Sequence, residues 1–164
     1  MSEIYLGNPN LKKANTPIQF SAEQIEEFLK CKNDPVYFAQ KYVKIVSLDE
    51  GLVPFQPYKF QEKLIKRFHK NRFNICKMPR QTGKSTTVVS YLLHYAVFND
   101  SVNIGILANK AATARELLGR LQTAYENLPK WMQQGVLVWN RGSLELENGS
   151  KILAASTSAS AVRG

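Results

Sequence analysis

Acidic residues are scarce in this chain: 13 Asp and Glu stand against 22 Lys and Arg among 164 residues, a formal net charge of +9. Cysteine is scarcer still, with only Cys31 and Cys76. The two lie far apart and share no metal-ligand spacing, which excludes a disulfide framework and a cysteine zinc site. Cys76 is expected inside a buried strand, as a small apolar side chain. No run of about 18 apolar residues occurs, so no membrane-spanning helix is available. The N-terminus also lacks the basic-then-apolar layout of a secretory signal. These absences point to a soluble protein of a reducing compartment. What is present is ordinary: 44% apolar and 21% charged residues predict a packed core, and the length suits one modest α/β domain.

The positive charge is unevenly placed. Between Lys59 and Lys84 there are nine Lys or Arg and one acidic residue, Glu62. A field of that kind attracts polyanions, whether a nucleotide's phosphates or a nucleic-acid backbone. For Lys63, Lys66, Arg67 and Lys70 an ordinary solvated helix face is the alternative.

Periodicity and punctuation predict the elements. Residues 1–20 are polar, with Pro9 and Pro17, and read as a loosely ordered arm. Ser21 with Gln24 forms a capping box opening a helix to about Lys30, and Asp34-Pro35 opens a second helix. Residues 44–56 read as a loop with room for a short strand. A third helix spans Tyr58 to Lys70, with Phe60, Leu64, Ile65 and Phe68 on its apolar face. A short strand is predicted over Phe73–Met78, a helix over Lys84–Phe98, and a strand covered on both faces over Val102–Ala108. A further helix is expected from about Ala111 to Asn127. Strand, helix, strand, helix is a βαβα order and implies a parallel sheet. Three short strands follow, at Val136–Trp139, Leu144–Leu146 and Ile152–Ala154, joined by hairpin signals at Asn140-Arg141-Gly142 and Asn148-Gly149. Ser156–Ala161 reads as a flexible loop of small residues.

The chemistry concentrates in Pro79-Arg80-Gln81-Thr82-Gly83-Lys84-Ser85-Thr86, set between the predicted strand and helix. Backbone N–H groups at a helix start are unpaired and carry partial positive charge, so they can wrap a polyphosphate. Gly83 lets that backbone approach without a Cβ. Lys84 would meet the β and γ phosphates of ATP, and Ser85 would hold its hydroxyl on Mg²⁺. The pattern departs from the full phosphate-loop signature at Met78, where the first glycine would stand. A helix start with a surface lysine is the bland alternative.

Met78 to Thr86 resembles the deviant Walker A motif of large terminase subunits, the DNA-packaging motors of tailed double-stranded DNA phages, and of the myovirus branch in particular. The resemblance extends to Asp34–Ala39, Gly105–Lys110, Trp139–Ser143, Glu147–Ser150 and Ala161–Gly164. It implies a RecA-like P-loop ATPase fold of helices around a parallel sheet. An N-terminal arm and helical subdomain would occupy residues 1–56, and the first part of the ATPase domain residues 57–164. It implies a γ-phosphate-sensing role for Arg80 and adenine recognition by Phe60-Gln61; nucleotide binding would then involve residues 80–86 with these two. An arginine paired to a carboxylate and an exposed helix glutamine are the respective alternatives.

The implied activity is ATP hydrolysis coupled to translocation of double-stranded DNA into a procapsid in the host cytoplasm. The implied partners are the portal protein and the small terminase subunit. One expected feature is missing: no apolar strand ending in Asp-Glu follows the loop, and Glu145 and Glu147 alternate with leucines. The chain is thus expected to be truncated before that strand, or naturally interrupted and completed by a second polypeptide, and weakly active at most by itself. Two other functions fit parts of the pattern: a helicase-like P-loop ATPase, and a non-catalytic piece that binds DNA or a partner through its basic face.

Overall fold

The computed structural model describes residues 3–47 and 49–157, in an α/β arrangement with one mixed sheet. An N-terminal hairpin, β1 (Ile4–Tyr5) and β2 (Asn8–Lys12), precedes two helices, α1 (Ala22–Asn33) and α2 (Pro35–Tyr42). A second hairpin, β3 (Lys44–Ser47) and β4 (Gly51–Pro54), leads to α3 (Lys59–Lys70) and α4 (Lys84–Phe98). Then come β5 (Asn103–Ala108), α5 (Ala111–Glu126), β6 (Val136–Trp139), β7 (Ser143–Leu146) and β8 (Lys151–Ser156). The last four strands form one sheet in the order β5-β8-β7-β6.

The helix starts follow the sequence signals. Ser21 and Gln24 close the capping box of α1, with Ser21 Oγ accepting from Gln24 N and Gln24 Oε1 accepting from Ser21 N. Asp34 accepts from the N–H groups of Val36 and Tyr37, with Pro35 in the first turn of α2. In α3 the buried positions are Gln61 and Ile65, while Phe60 lies exposed rather than on the core side.

The parallel sheet is corrected to a mixed one. β5 pairs β8 in parallel, but β8–β7 and β7–β6 are antiparallel. The two turn signals build this ladder. Asn140 Oδ1 accepts from Gly142 N and Ser143 N, and Gly149 adopts φ 81° in the tight β7–β8 turn. β8 therefore joins the predicted C-terminal hairpin region to the parallel pair. In β5 the burial alternates, with Ile104 and Ile106 covered and Gly105 and Leu107 exposed, so only one face is packed. Covering on both faces was the expectation; the described helix α5 packs on one side only, and no described element covers the other.

Three further expectations change. The described residues 3–20 are not a loose arm. Leu11 is buried, and Gln133 binds the hairpin on both sides, accepting from Lys12 N and donating to Asn10 O. Residues 44–56, expected as a loop with room for a short strand, hold a four-pair antiparallel hairpin. The third change concerns Phe73–Met78, which forms no strand: Ile75 is 100% and Phe73 82% exposed, and Cys76 is exposed too. A strand needs neighbouring N–H and C=O groups along its length. The segment finds none, because it forms no ladder with β5, whose outer edge is free in the strand order. The βαβα order accordingly begins at α4.

The core is organised on α4. Its buried face carries Thr87, Val89, Ser90, Leu93, His94, Ala96, Val97 and Phe98. Phe98 and His94 meet Phe38 of α2 edge-on, at centroid distances of 5.3 Å and 5.5 Å. Tyr91 donates to Phe68 O at the end of α3. The C-terminal carbonyls of α4 are closed from the β7–β8 turn, where Asn148 donates to Ala96 O and Asn99 O and Ser150 donates to Asn99 O. The first turn of α4 is thus held in a helix fixed along its length. Most of Ser156–Ala161 and the last residues, Ala161–Gly164, lie outside the described residues.

Candidate nucleotide site

Gly83 is the N-cap of α4 with φ 73° and ψ 18°, a left-handed conformation that suits glycine. No side chain caps this helix start. Its first amide hydrogens are therefore open, with the partial positive charge of the helix N-terminus behind them. Gln81 also has a positive φ, 59°. The chain curls sharply between Pro79 and Gly83, and Thr82 Oγ1 donates to Pro79 O to close the curl at 3.0 Å.

Lys84 folds back into this curl. Its Nζ donates to Met78 O at 2.7 Å and Pro79 O at 2.8 Å. The ammonium sits across the loop rather than in solvent, held by two neutral carbonyls. Charge-assisted bonds to anionic oxygens are stronger than bonds to neutral ones, so a polyphosphate would compete well for it.

Beside the loop lies a cavity of about 510 Å³. The loop side is formed by Gln81, Thr82, Gly83 and Thr86, and the opposite side by Tyr58, Phe60 and Gln61. Tyr58 and Phe60 stack, with ring centroids 5.9 Å apart and planes 10° from parallel. Ile45 and Pro54 of the β3–β4 hairpin, with Phe55 and Gln56, complete the walls. A larger hollow of about 730 Å³ lies beyond Ile45 and Thr86, but it touches no other loop residue.

Gln61 is buried beneath the loop, 3% exposed. Its Oε1 accepts from Tyr58 N at 2.8 Å and its Nε2 donates to Gly83 O at 3.4 Å. One N–H and one lone pair of the amide remain for other partners. Gly83 O is a shared acceptor, also receiving Thr87 N and Thr87 Oγ1.

The fold thus brings together Phe60, Gln61, Gln81, Thr82, Gly83 and Thr86 around one cavity. It does not bring Ser85 there. Ser85 is exposed and lines a separate small hollow of about 150 Å³ with Lys84, Val88 and Ile106. Arg80 is exposed and makes no ion pair among the described residues, so no carboxylate holds it. Sequence reasoning missed Tyr58 and the β3–β4 hairpin. The signal for Tyr58 was its place two residues before Phe60. The hairpin wall carried no local signal, because chain folding alone brings it to the loop.

The two carboxylates set aside in the sequence are occupied. Glu145 pairs with Lys151 at 3.2 Å. Glu147 accepts from Lys12 Nζ, Asn15 N and Gly135 N. Burial would raise its pKa, but those hydrogen bonds outweigh it and hold the carboxyl below its ordinary value. Neither is free to act on a loop-bound phosphate.

A family model described as "Terminase large subunit, T4likevirus-type, N-terminal" matches residues 75–164, more than half of the chain. The chain belongs to this large-terminase family. The crystal structure of the HK97 bacteriophage large terminase superposes with a TM-score of 0.64 at 18% sequence identity, over 81% of this chain and 29% of that one. At that identity the likeness is one of fold. The chain spans less than a third of the length of that terminase, and the loop, α4 and the mixed sheet all fall inside the matched family segment. Among the described residues no helix is long and apolar enough to cross a membrane.

Proposed function

We propose that this chain is the nucleotide-binding part of a DNA-packaging terminase, with a P-loop NTPase site in the loop 79–86. ATP is the ligand. Its triphosphate lies against the open amides of the α4 N-terminus, and its adenine enters the cavity walled by Tyr58, Phe60 and Gln61. The observation that carries this reading is the pairing of an uncapped, glycine-opened helix start with an aromatic and amide-lined cavity on its flank. Aromatic faces suit a purine ring, and the Gln61 amide offers both a donor and an acceptor to its edge.

In this reading Lys84 exchanges Met78 O and Pro79 O for β- and γ-phosphate oxygens. Ser85, at the second helical position and exposed, would offer its hydroxyl to Mg²⁺, whose charge would offset that of the phosphates. Arg80, exposed and without an ion pair among the described residues, would stabilise charge on the transferred phosphoryl group. In the assembled motor, hydrolysis drives duplex DNA into a procapsid in the host cytoplasm, together with a portal protein and a small terminase subunit.

The test is equilibrium binding of a fluorescent ATP analogue to the chain with Mg²⁺. Lys84→Ala is expected to weaken binding at least tenfold, with the fold intact by circular dichroism. Unchanged affinity in that variant would refute the site. Tyr58→Ala should weaken ATP more than inorganic triphosphate, which tests the adenine cavity separately.

A further inference from the structure

The basic residues of α3 fall on one line. At 3.6 residues per turn, Lys59, Lys63, Lys66, Arg67 and Lys70 lie within a sector of about 100°, over roughly 16 Å of helix. All five are exposed, and none makes an ion pair among the described residues. The one acidic residue of the helix, Glu62, accepts a hydrogen bond from Gln40 Nε2 at 2.9 Å on the α2 side. Gln61, Ile65 and Phe68, the side that packs against the loop and α4, face the other way. The centre of the stripe therefore lies on the side of α3 opposite Gln61, with the cavity-lining Phe60 next to its edge.

We infer that this stripe is a contact surface for the phosphate backbone of double-stranded DNA. The inference rests on the packaging reading above and gives its polymer a place on the chain. The charge pattern supports DNA over an acidic protein. A protein-binding patch carries an apolar or aromatic centre and is depleted in lysine, whereas this sector holds cations only. Backbone contacts made by Lys and Arg position a protein on a duplex without reading its sequence, which suits a surface past which any sequence moves. Duplex DNA carries about one charge per 1.7 Å of axis, hence about ten along the length of the stripe. Directly beyond the helix, Arg72 is exposed and stacks on Phe73, with its guanidinium carbon 5.1 Å from the ring centroid, and Lys77 is exposed as well.

The arrangement also links DNA to nucleotide. One side of α3 carries the stripe, and the opposite side carries Gln61 against Gly83. A force on the helix from DNA would therefore reach the nucleotide loop through one side chain.

The experiment is a salt titration of a 30-base-pair duplex binding to the chain without nucleotide. Five phosphate contacts give a slope of log K against log salt of about −4.5, a several-hundred-fold loss of affinity between 50 and 200 mM salt. The quadruple variant Lys63→Gln, Lys66→Gln, Arg67→Gln, Lys70→Gln should flatten the slope by up to about 3.6. The pairs Lys63→Gln/Lys70→Gln and Lys66→Gln/Arg67→Gln should each take about half of that, which keeps the test decisive if the quadruple variant folds poorly. A control quartet at Lys32, Lys110, Arg115 and Arg141, all exposed and off the stripe, should leave the slope nearly intact. An unchanged slope in the stripe variants, an equal loss in the control, or polyglutamate competing as well as duplex DNA would each overturn the inference. ATP binding, measured on the same variants, should be unaltered. Loss of ATP binding by the parent chain, with the DNA result intact, would refute the nucleotide site and leave the stripe standing.

Discussion

The Gln61 side chain lies directly against Gly83. Its Nε2 is 3.4 Å from the glycine carbonyl, and a Cβ built at position 83 would come within 2.5 Å of the same nitrogen. Two residues 22 positions apart thus define the floor of the loop 79–86, and the left-handed φ of Gly83 adds a second reason for glycine there.

Gly83→Ala is expected to cost about 1–2 kcal/mol from the left-handed backbone alone, and to weaken nucleotide binding as well. Displacing the flexible Gln61 amide adds to that cost. In a Gln61→Ala background the steric part vanishes and the backbone part remains. Thermal melts of the two single variants and the double variant measure this. Equal costs of Gly83→Ala in both backgrounds would mean that the two residues do not press on one another.

His94 predicts a pH dependence. Its Nε2 lies 2.9 Å from Cys31 O, an acceptor, so that nitrogen carries the hydrogen and Nδ1 is left buried with no partner. Burial lowers the pKa from 6.5 to about 4. The unfolded chain therefore binds the extra proton first as pH falls. The stabilisation is complete above about 6.5 and is lost as pH drops through about 4, worth roughly 3 kcal/mol over the window. His94→Gln should flatten urea-unfolding midpoints between pH 4.5 and 7.

A second titration lies lower. Glu27 accepts from Tyr37, Tyr42 and Lys41, tying α1 to α2. Burial acts to raise its pKa, but the hydrogen bonds from Lys41, Tyr42 and Tyr37 prevail and bring it from 4.5 to about 2. Its contribution is present above about 4.5 and drains away as pH falls toward about 2. Glu27→Gln should destabilise the chain at pH 7 and do so much less at pH 2.5, as read from chemical denaturation at the two pH values.

Gly135→Ala should be among the more damaging single changes. The added Cβ would meet Ala14 Cα at 2.4 Å and Glu147 Oε2 at 2.6 Å. One of these is backbone, so relief requires the N-terminal hairpin to move. A loss of about 2 kcal/mol is expected, together with faster hydrogen exchange at residues 8–15. Unchanged exchange there would contradict the packing described.

The helices were legible because their signals are local. Ser21/Gln24, Asp34-Pro35 and Gly83-Lys84 each announce a helix start within four residues. The hairpin turns at 140–142 and 148–149 were legible for the same reason. What could not be read depends on distant partners. Phe73–Met78 has the composition of a strand, yet a strand exists only where another offers an edge, and composition does not report that. Residues 1–20 look polar, but Leu11 and Lys12 gain their places from Gln133 and Glu147, more than 120 residues on. At the site, the loop and Phe60-Gln61 were visible as motifs. The hairpin wall and the seat of Gln61 beneath Gly83 emerged only in three dimensions.

The first hairpin also bears on how this chain should be handled. Cutting away residues 1–16 as an apparently dispensable leader would strip Glu147 of its only cation among the described residues and open the space filled by Leu11. The damage would surface far along the sequence, at the open end of the β6–β7 hairpin, which Glu147 closes through Gly135. A shortened version that precipitates would then reflect a removed buttress and say nothing about the loop 79–86.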